Sequence, residues 1–219
     1  MIETPFRSKQ RLDLQTIQQE VMSIVTSYDF SVGYYQETIS LLSEQELGEE
    51  YRTLPYNRPF HSGMSYKSYP YIAKLADSFR SEKIGLMLQR REPHSSYGLH
   101  TDAMGGGFGS RRFNLPVFSP KGSYLCIVDS NDVPEAWFEN NVAFLPDLLK
   151  LFRDKLFIYY LEPGYLYSFR FDKFHTVIND SADFRYSLLL DFIDTEFVRE
   201  FTMKELTVPL QPLARERFT

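Results

Sequence analysis

Between residues 83 and 193 the chain is cut into seven short runs of β-type sequence, KIGLMLQRR, RRFNLPVF, SYLCIVD, KLFIYYLE, GYLYSFRF, HTVIN and FRYSLLLDFI, separated by Gly, Pro, Asn and Asp. Runs this short, rich in β-branched and aromatic residues and bounded by turn formers, read as strands. A chain holding this many of them buries their apolar faces by packing sheet on sheet, as a β-sandwich or jelly roll. Helical patterns precede them. In residues 11 to 27, Leu14, Ile17, Val21 and Ile24 recur at three- and four-residue steps, and Tyr71, Ile72, Leu75 and Phe79 suggest a second helix in YPYIAKLADSFR. These helices are predicted to brace the β structure.

At 219 residues the chain is long enough for one substantial core, and a single domain spanning 1–219 is expected. Its predicted parts are an N-terminal support of helices and loops (1–82), a β core (83–193) and a C-terminal extension (194–219). Residues 28 to 69 are polar, Tyr-rich and Pro-containing, which reads as short strands and loops suited to a lid. Residues 131 to 155 interrupt the strands with the only tryptophan, Trp137, and a short helix in PDLLKLFRDK. The aromatic share of 16% favours strands and a thick core.

Lys and Arg number 24 against 29 Asp and Glu, a formal charge of -5, and no basic run tracks a phosphate backbone. Nucleic acid is therefore not expected as a partner. The N-terminus carries no apolar segment of the signal-peptide kind and no window approaches 18 apolar residues, so no membrane partner and a cytoplasmic location are expected. A single cysteine, Cys126, rules out an intramolecular disulfide and a Cys-based zinc site. It reads as a small buried strand residue. Metal or proton chemistry then falls to carboxylates and four histidines, His61, His94, His100 and His175.

The strongest chemical signal joins LHTDAMGGGFGSRRFNLPV to FHTVINDSADFRYSLLLDF. His100 and Asp102 are two apart, and in an extended strand such residues project from one face, where an imidazole and a carboxylate can chelate one ion. His175 completes the set. Two His and a carboxylate on one face of an octahedron leave positions open, the arrangement in which non-haem Fe(II) oxygenases bind co-substrate and O₂ together. An isolated HxD occurs by chance, but a second element accompanies it. Arg185 and Ser187 share one face of the apolar run FRYSLLLDFI, where a guanidinium is unfavourable unless paired. A buried guanidinium can hold a small-molecule carboxylate through two charge-assisted hydrogen bonds.

With HxD, a distal His and then RxS, here His100-Thr101-Asp102, His175 and Arg185-Tyr186-Ser187, the chain resembles the Fe(II)/2-oxoglutarate-dependent oxygenases. RRFNLPV and EPGYLYSFRFDKFHTVIND are similar to the aspartyl/asparaginyl β-hydroxylase-like branch, which includes small proline hydroxylases. The resemblance covers roughly residues 84 to 193. It implies a cupin-like double-stranded β-helix, with His100, Asp102 and His175 as Fe(II) ligands, Arg185 holding the distal carboxylate of 2-oxoglutarate, and O₂ as oxidant. It further suggests that Arg112 and Asn114 face the co-substrate, with the adjacent Arg111 as the alternative register. Aspartyl β-hydroxylases proper tend to lack the carboxylate ligand that Asp102 supplies, which places the chain nearer the proline hydroxylases. The implied reaction is hydroxylation of an amino-acid side chain, free or in a peptide, with proline or Asp/Asn as first candidates and succinate and CO₂ released. The oligomeric state is not legible.

Other features read more plainly. Gly105 to Gly109 lack the Lys-Ser/Thr of a phosphate loop and read as a flexible connection. His94 and His61 read as loop histidines, while Tyr97, Arg90 and Arg91 lead into the metal segment and border a pocket or simply pack. Two other classes share the metal geometry: a non-catalytic metal-binding jelly-roll module recognising a small molecule or partner, which would not need Arg185, and a cupin-type zinc or manganese isomerase or hydrolase.

Overall fold

In the computed structural model, which describes residues 5–28, 38–43, 46, 64–102, 110–130, 133, 144–169 and 173–218, the strand runs form two antiparallel sheets. The larger takes β1 (Phe6–Ser8), β2 (Thr38–Ser40), β3 (Lys83–Arg91), β5 (Ser110–Phe118), β8 (Tyr167–Ser168), β10 (Arg185–Ile193) and β11 (Leu206–Pro209), in the order β11-β1-β8-β5-β10-β3-β2. The smaller takes β4 (Ser95–Ser96), β6 (Ser123–Val128), β7 (Leu156–Tyr159) and β9 (Phe174–Asn179), in the order β4-β9-β6-β7. From β3 to β10 the chain passes between the sheets at every step except β6 to β7, which is a double-stranded β-helix, the cupin-like jelly roll. Strands β1, β2 and β11 extend the large sheet with residues from outside 83–193.

Among the described residues, four helices lie on the outer faces: α1 (Leu14–Ser27), α2 (Pro70–Ser78), α3 (Leu145–Phe152) and α4 (Glu196–Glu205). Helix α1 starts at Leu14, the first residue of its apolar pattern and three residues into the 11–27 segment, because the Asp13 side chain accepts the Thr16 N–H and caps it. Helix α2 begins at Pro70 without a side-chain cap of its own; the Glu20 carboxylate accepts the Tyr71 and Ile72 N–H groups at 2.8 and 2.9 Å. Ile17, Val21 and Ile24 of α1, with Ile72 and Leu75 of α2, pack on Leu86, Leu88, Leu188 and Leu190 of the large sheet. Phe79 stacks on Phe192 at 4.3 Å between centroids and touches Phe113 and Phe201, closing this layer.

Helix α3 covers the small sheet, setting Leu145, Leu148 and Phe152 against Cys126, Val128, Ile158 and Ile178. Sequence places its end at Lys155; instead Arg153 takes φ +40° and the chain tightens into a 3₁₀ turn, Arg153–Lys155. Cys126 is fully buried, and burial pushes its thiol up to about 12. The space between the sheets is apolar on one side, with Leu125, Ile127, Tyr159, Leu161, Tyr167 and Val177. On the other side it is polar.

Strand β10 divides those worlds. Tyr186, Leu188, Leu190 and Phe192 belong to the helix-facing core, while Arg185, Ser187, Leu189 and Asp191, of opposite parity, point between the sheets. The lid expected within 28–69 falls largely outside the described residues, which there comprise β2 and a 3₁₀ turn at Tyr66–Ser68. Trp137, His61 and Gly105 to Gly109 also lie outside the described residues. Among the described residues no helix is long and apolar enough to cross a membrane.

Candidate metal centre

His100 follows β4 and pairs with His175 of β9 as an isolated antiparallel bridge, each backbone N–H donating to the other's carbonyl at 3.0 and 2.8 Å. Directly opposed residues of an antiparallel pair share a face, so the imidazoles meet, 4.5 Å between ring centroids. The Nδ1 of each ring lies 2.8 Å from the carbonyl two residues earlier, Gly98 for His100 and Lys173 for His175. Nδ1–H therefore donates, and the lone pair resides on Nε2, the tautomer a metal requires. Both Nε2 atoms face Asp102: His100 Nε2 is 3.7 Å from Oδ1 and His175 Nε2 is 3.6 Å from Oδ2. One ligand atom from each residue lies within 4.8 Å of the others.

The predicted trio is thus assembled, though not by a continuous strand, since His100 makes a bridge and Asp102 lies outside any named strand. The His175 side chain is 5% exposed and that of His100 39%, so His175 is the buried member of the cluster and His100 the accessible one. Burial and the neighbouring His175 both lower the pKa of His100, keeping it neutral. Burial would raise the pKa of Asp102, but Arg112 and the two imidazoles outweigh it and hold the carboxyl well below the usual range. Two imidazole Nε2 donors and an ionised carboxylate fit a divalent transition ion.

Arg112 faces inward and Arg111 outward, where its Nε donates to Asp194 at 3.1 Å. The Arg112 guanidinium is engaged by protein carboxylates: Nε and Nη2 donate to Asp191 Oδ1 and Oδ2 at 2.6 and 2.8 Å, and Nη1 donates to Asp102 Oδ2. Burial disfavours its charge, but Asp191 and Asp102 more than offset this and raise its pKa. Sequence reasoning missed Asp191. The signal was present, an acidic residue in LLLDF with the same parity as Arg185 and Ser187.

Arg185 lies at the start of β10, directly across from Arg91 of β3 and 2% exposed. Among the described residues no carboxylate pairs with it. Burial, then the charge of Arg91, lowers its pKa to about 9. Ser187 is completely buried, and among the described residues its Oγ has no hydrogen-bond partner; the same holds for Oδ1 of Asn114, 3% exposed. Asn114 lines the metal cavity with Gln89, Tyr97, Phe169, Val177 and Leu189. The Arg91 guanidinium stacks on Tyr97, 3.4 Å from the ring centroid, whereas Arg90 sits over Phe184. His94 occupies a turn with φ +51° and lies 3.6 Å from Asp180, apart from the cavity lining.

No protein-family model matches the chain, and no curated protein matches it. Among solved structures, the chain is similar to EvdMO1, with a TM-score of 0.51, 13% identity and coverage of 88% of this chain and 48% of that one. It is also similar to a non-heme monooxygenase solved as the ThoJ-Ni complex (TM-score 0.47, 13% identity, 87% and 73% covered). A third is EctD from S. alaskensis with 2-oxoglutarate and 5-hydroxyectoine (TM-score 0.48, 11% identity, 87% and 72% covered). At these identities the likeness is one of fold.

Proposed function

We propose that this protein is an Fe(II)- and 2-oxoglutarate-dependent dioxygenase that hydroxylates an amino-acid side chain, free or in a peptide, with release of succinate and CO₂. The observation that carries the reading is the buried guanidinium of Arg185, which has no carboxylate partner among the described residues and lies on the same face of β10 as Leu189, a residue lining the cavity of His100, Asp102 and His175. A buried unpaired charge is strongly unfavourable. A carboxylate ligand supplies the missing partner.

The residues fit the implied groups. His100, Asp102 and His175 would hold the iron, which when bound supplies O₂ activation and the oxidising power of the reaction. Along β10, Arg185 precedes the cavity-lining Leu189 by four residues, about 13 Å of strand. An arginine side chain and a five-carbon diacid together fill that span, with Ser187 midway. In this reading Arg185 orients the co-substrate through a two-donor fork to its distal carboxylate, and the Ser187 hydroxyl adds a hydrogen bond. Asn114 lines the cavity with an Oδ1 that no group among the described residues bonds, and it is proposed to orient the co-substrate. Leu189, Val177 and Phe169 keep the rest of the cavity dry.

A non-catalytic metal-binding module would have no use for the guanidinium of Arg185. The test is to incubate the iron-loaded protein with 2-oxoglutarate and a panel of amino acids and peptides, proline, aspartate and asparagine first, and to search by mass spectrometry for the gain of one oxygen atom. Succinate formed in step with an oxygenated product is expected. Absence of both products across the panel, with iron bound, would favour the binding module.

A further inference from the structure

Strand order brings together one ionic unit that the reaction chemistry does not itself require. Asp191 of β10 is fully buried, its side chain 1% exposed, and it grips Arg112 of β5 through two parallel hydrogen bonds. A bidentate carboxylate fixes the plane of a guanidinium. The remaining nitrogen, Nη1, is thereby aimed at Asp102 Oδ2, the oxygen that also lies 3.6 Å from His175 Nε2, while Oδ1 faces His100 and carries no hydrogen bond from Arg112. On the far side of Asp191 stands Gly85 of β3, its direct cross-strand partner. A Cβ built at residue 85 would come within 2.7 Å of Asp191 Oδ2. Glycine inside a strand commonly marks such a close approach.

We propose that Arg112 and Asp191, with the space left at Gly85, form a clamp that positions the metal-ligating carboxylate of Asp102. The inference rests on the metal-centre reading above. Asp102 lies outside any named strand, so the backbone ladder does not set its carboxylate; the clamp does. The same contact directs one oxygen to Arg112 and the other to the ion, which makes Asp102 a single-oxygen ligand. Asp191 also restrains Arg112. Released from Asp191, the guanidinium would turn both arms onto Asp102 and compete with the metal for it. Arg112 and Asp191 are therefore positioning residues, and the role assigns Arg112 to the ligand rather than to the co-substrate.

The test uses Mn(II), a redox-stable ion suited to the same oxygen and nitrogen donors, titrated into the metal-free full-length protein and followed by electron paramagnetic resonance. Outer partners of metal ligands typically contribute about 10- to 100-fold in affinity. Asp191→Asn and Arg112→Lys are each expected to weaken Mn(II) binding by about that factor, Arg112→Lys because it keeps the charge but not the fork. Gly85→Ala, which changes no charge, should weaken binding in the same direction, and Gly85→Ala with Asp191→Asn should be no weaker than Asp191→Asn alone. Metal affinities of Asp191→Asn and Arg112→Lys within about two-fold of the parent would overturn the clamp; were Asp191→Asn not to fold, Arg112→Lys decides alone. A parent that binds no Mn(II) would instead overturn the metal centre itself.

Discussion

His100 is held neutral by burial and by the imidazole of His175, and the pH behaviour of the site follows from that. An ordinary histidine is half protonated at about pH 6.5. With its native pKa depressed, His100 in the metal-free protein resists protonation at a pH where the unfolded chain already accepts it. Stability of the metal-free protein should therefore fall as the pH drops below about 6.5. Metal competes with protons for Nε2, so Mn(II) occupancy at fixed total metal should stay flat from pH 8 through about 6.5 and decline only below it. Equilibrium dialysis across pH 8 to 5 measures this, and occupancy already halved at pH 6.5 would contradict it. Asp102 remains ionised throughout, because Arg112 and the imidazoles hold its carboxyl well below the usual range despite burial.

Strand β10 carries structure on one face and chemistry on the other, and substitutions should sort by parity. Phe192→Ala removes a ring stacked on Phe79 and should destabilise by roughly 3–5 kcal/mol, while the folded fraction keeps the parent's affinity for metal and 2-oxoglutarate. Ser187→Ala should leave the urea midpoint nearly unchanged and weaken 2-oxoglutarate by about one neutral hydrogen bond, roughly 1 kcal/mol or five-fold. The reverse pattern, with Phe192→Ala specifically weakening co-substrate, would show the faces misassigned. This division was partly legible in FRYSLLLDFI, where alternation placed Arg185 and Ser187 together. Asp191 has the same parity, but its partner Arg112 is 79 positions away, and no local pattern reports which guanidinium a distant strand delivers. Sequence likewise could not choose between Arg111 and Arg112; pairing of β5 with β10 settles it, setting Arg112 opposite Asp191.

At the scale of the molecule, the two sheets contribute different halves of the proposed site. The small sheet and the segment after β4 bring His100, Asp102 and His175, and the large sheet brings Arg112, Asn114, Arg185 and Ser187. The β core was readable because its strands are short, apolar and punctuated by turn formers. The incorporation of β1, β2 and β11 into the large sheet was not, since segments of three or four residues carry too little periodicity to be told from loop. The metal trio was legible by residue type and spacing. Its emptiness of competing partners around Arg185 was not, because only the fold shows that no carboxylate among the described residues reaches that guanidinium. That emptiness makes the central claim testable at one residue. The measurement is an anaerobic titration of 2-oxoglutarate into the Fe(II) protein, following the visible charge-transfer absorption expected when a 2-keto acid chelates iron, in the parent and in Arg185→Leu. Hydrogen bonds to charged groups contribute roughly 1.5 to 3 kcal/mol, so the variant should bind 2-oxoglutarate about ten- to a few hundred-fold more weakly. It should bind Fe(II) as the parent does, and its metal-free form should melt no lower, because an apolar side chain replaces a buried charge that no carboxylate among the described residues pairs with. Equal 2-oxoglutarate affinity in parent and variant, or a parent that develops no absorption band and forms no succinate, would contradict the account.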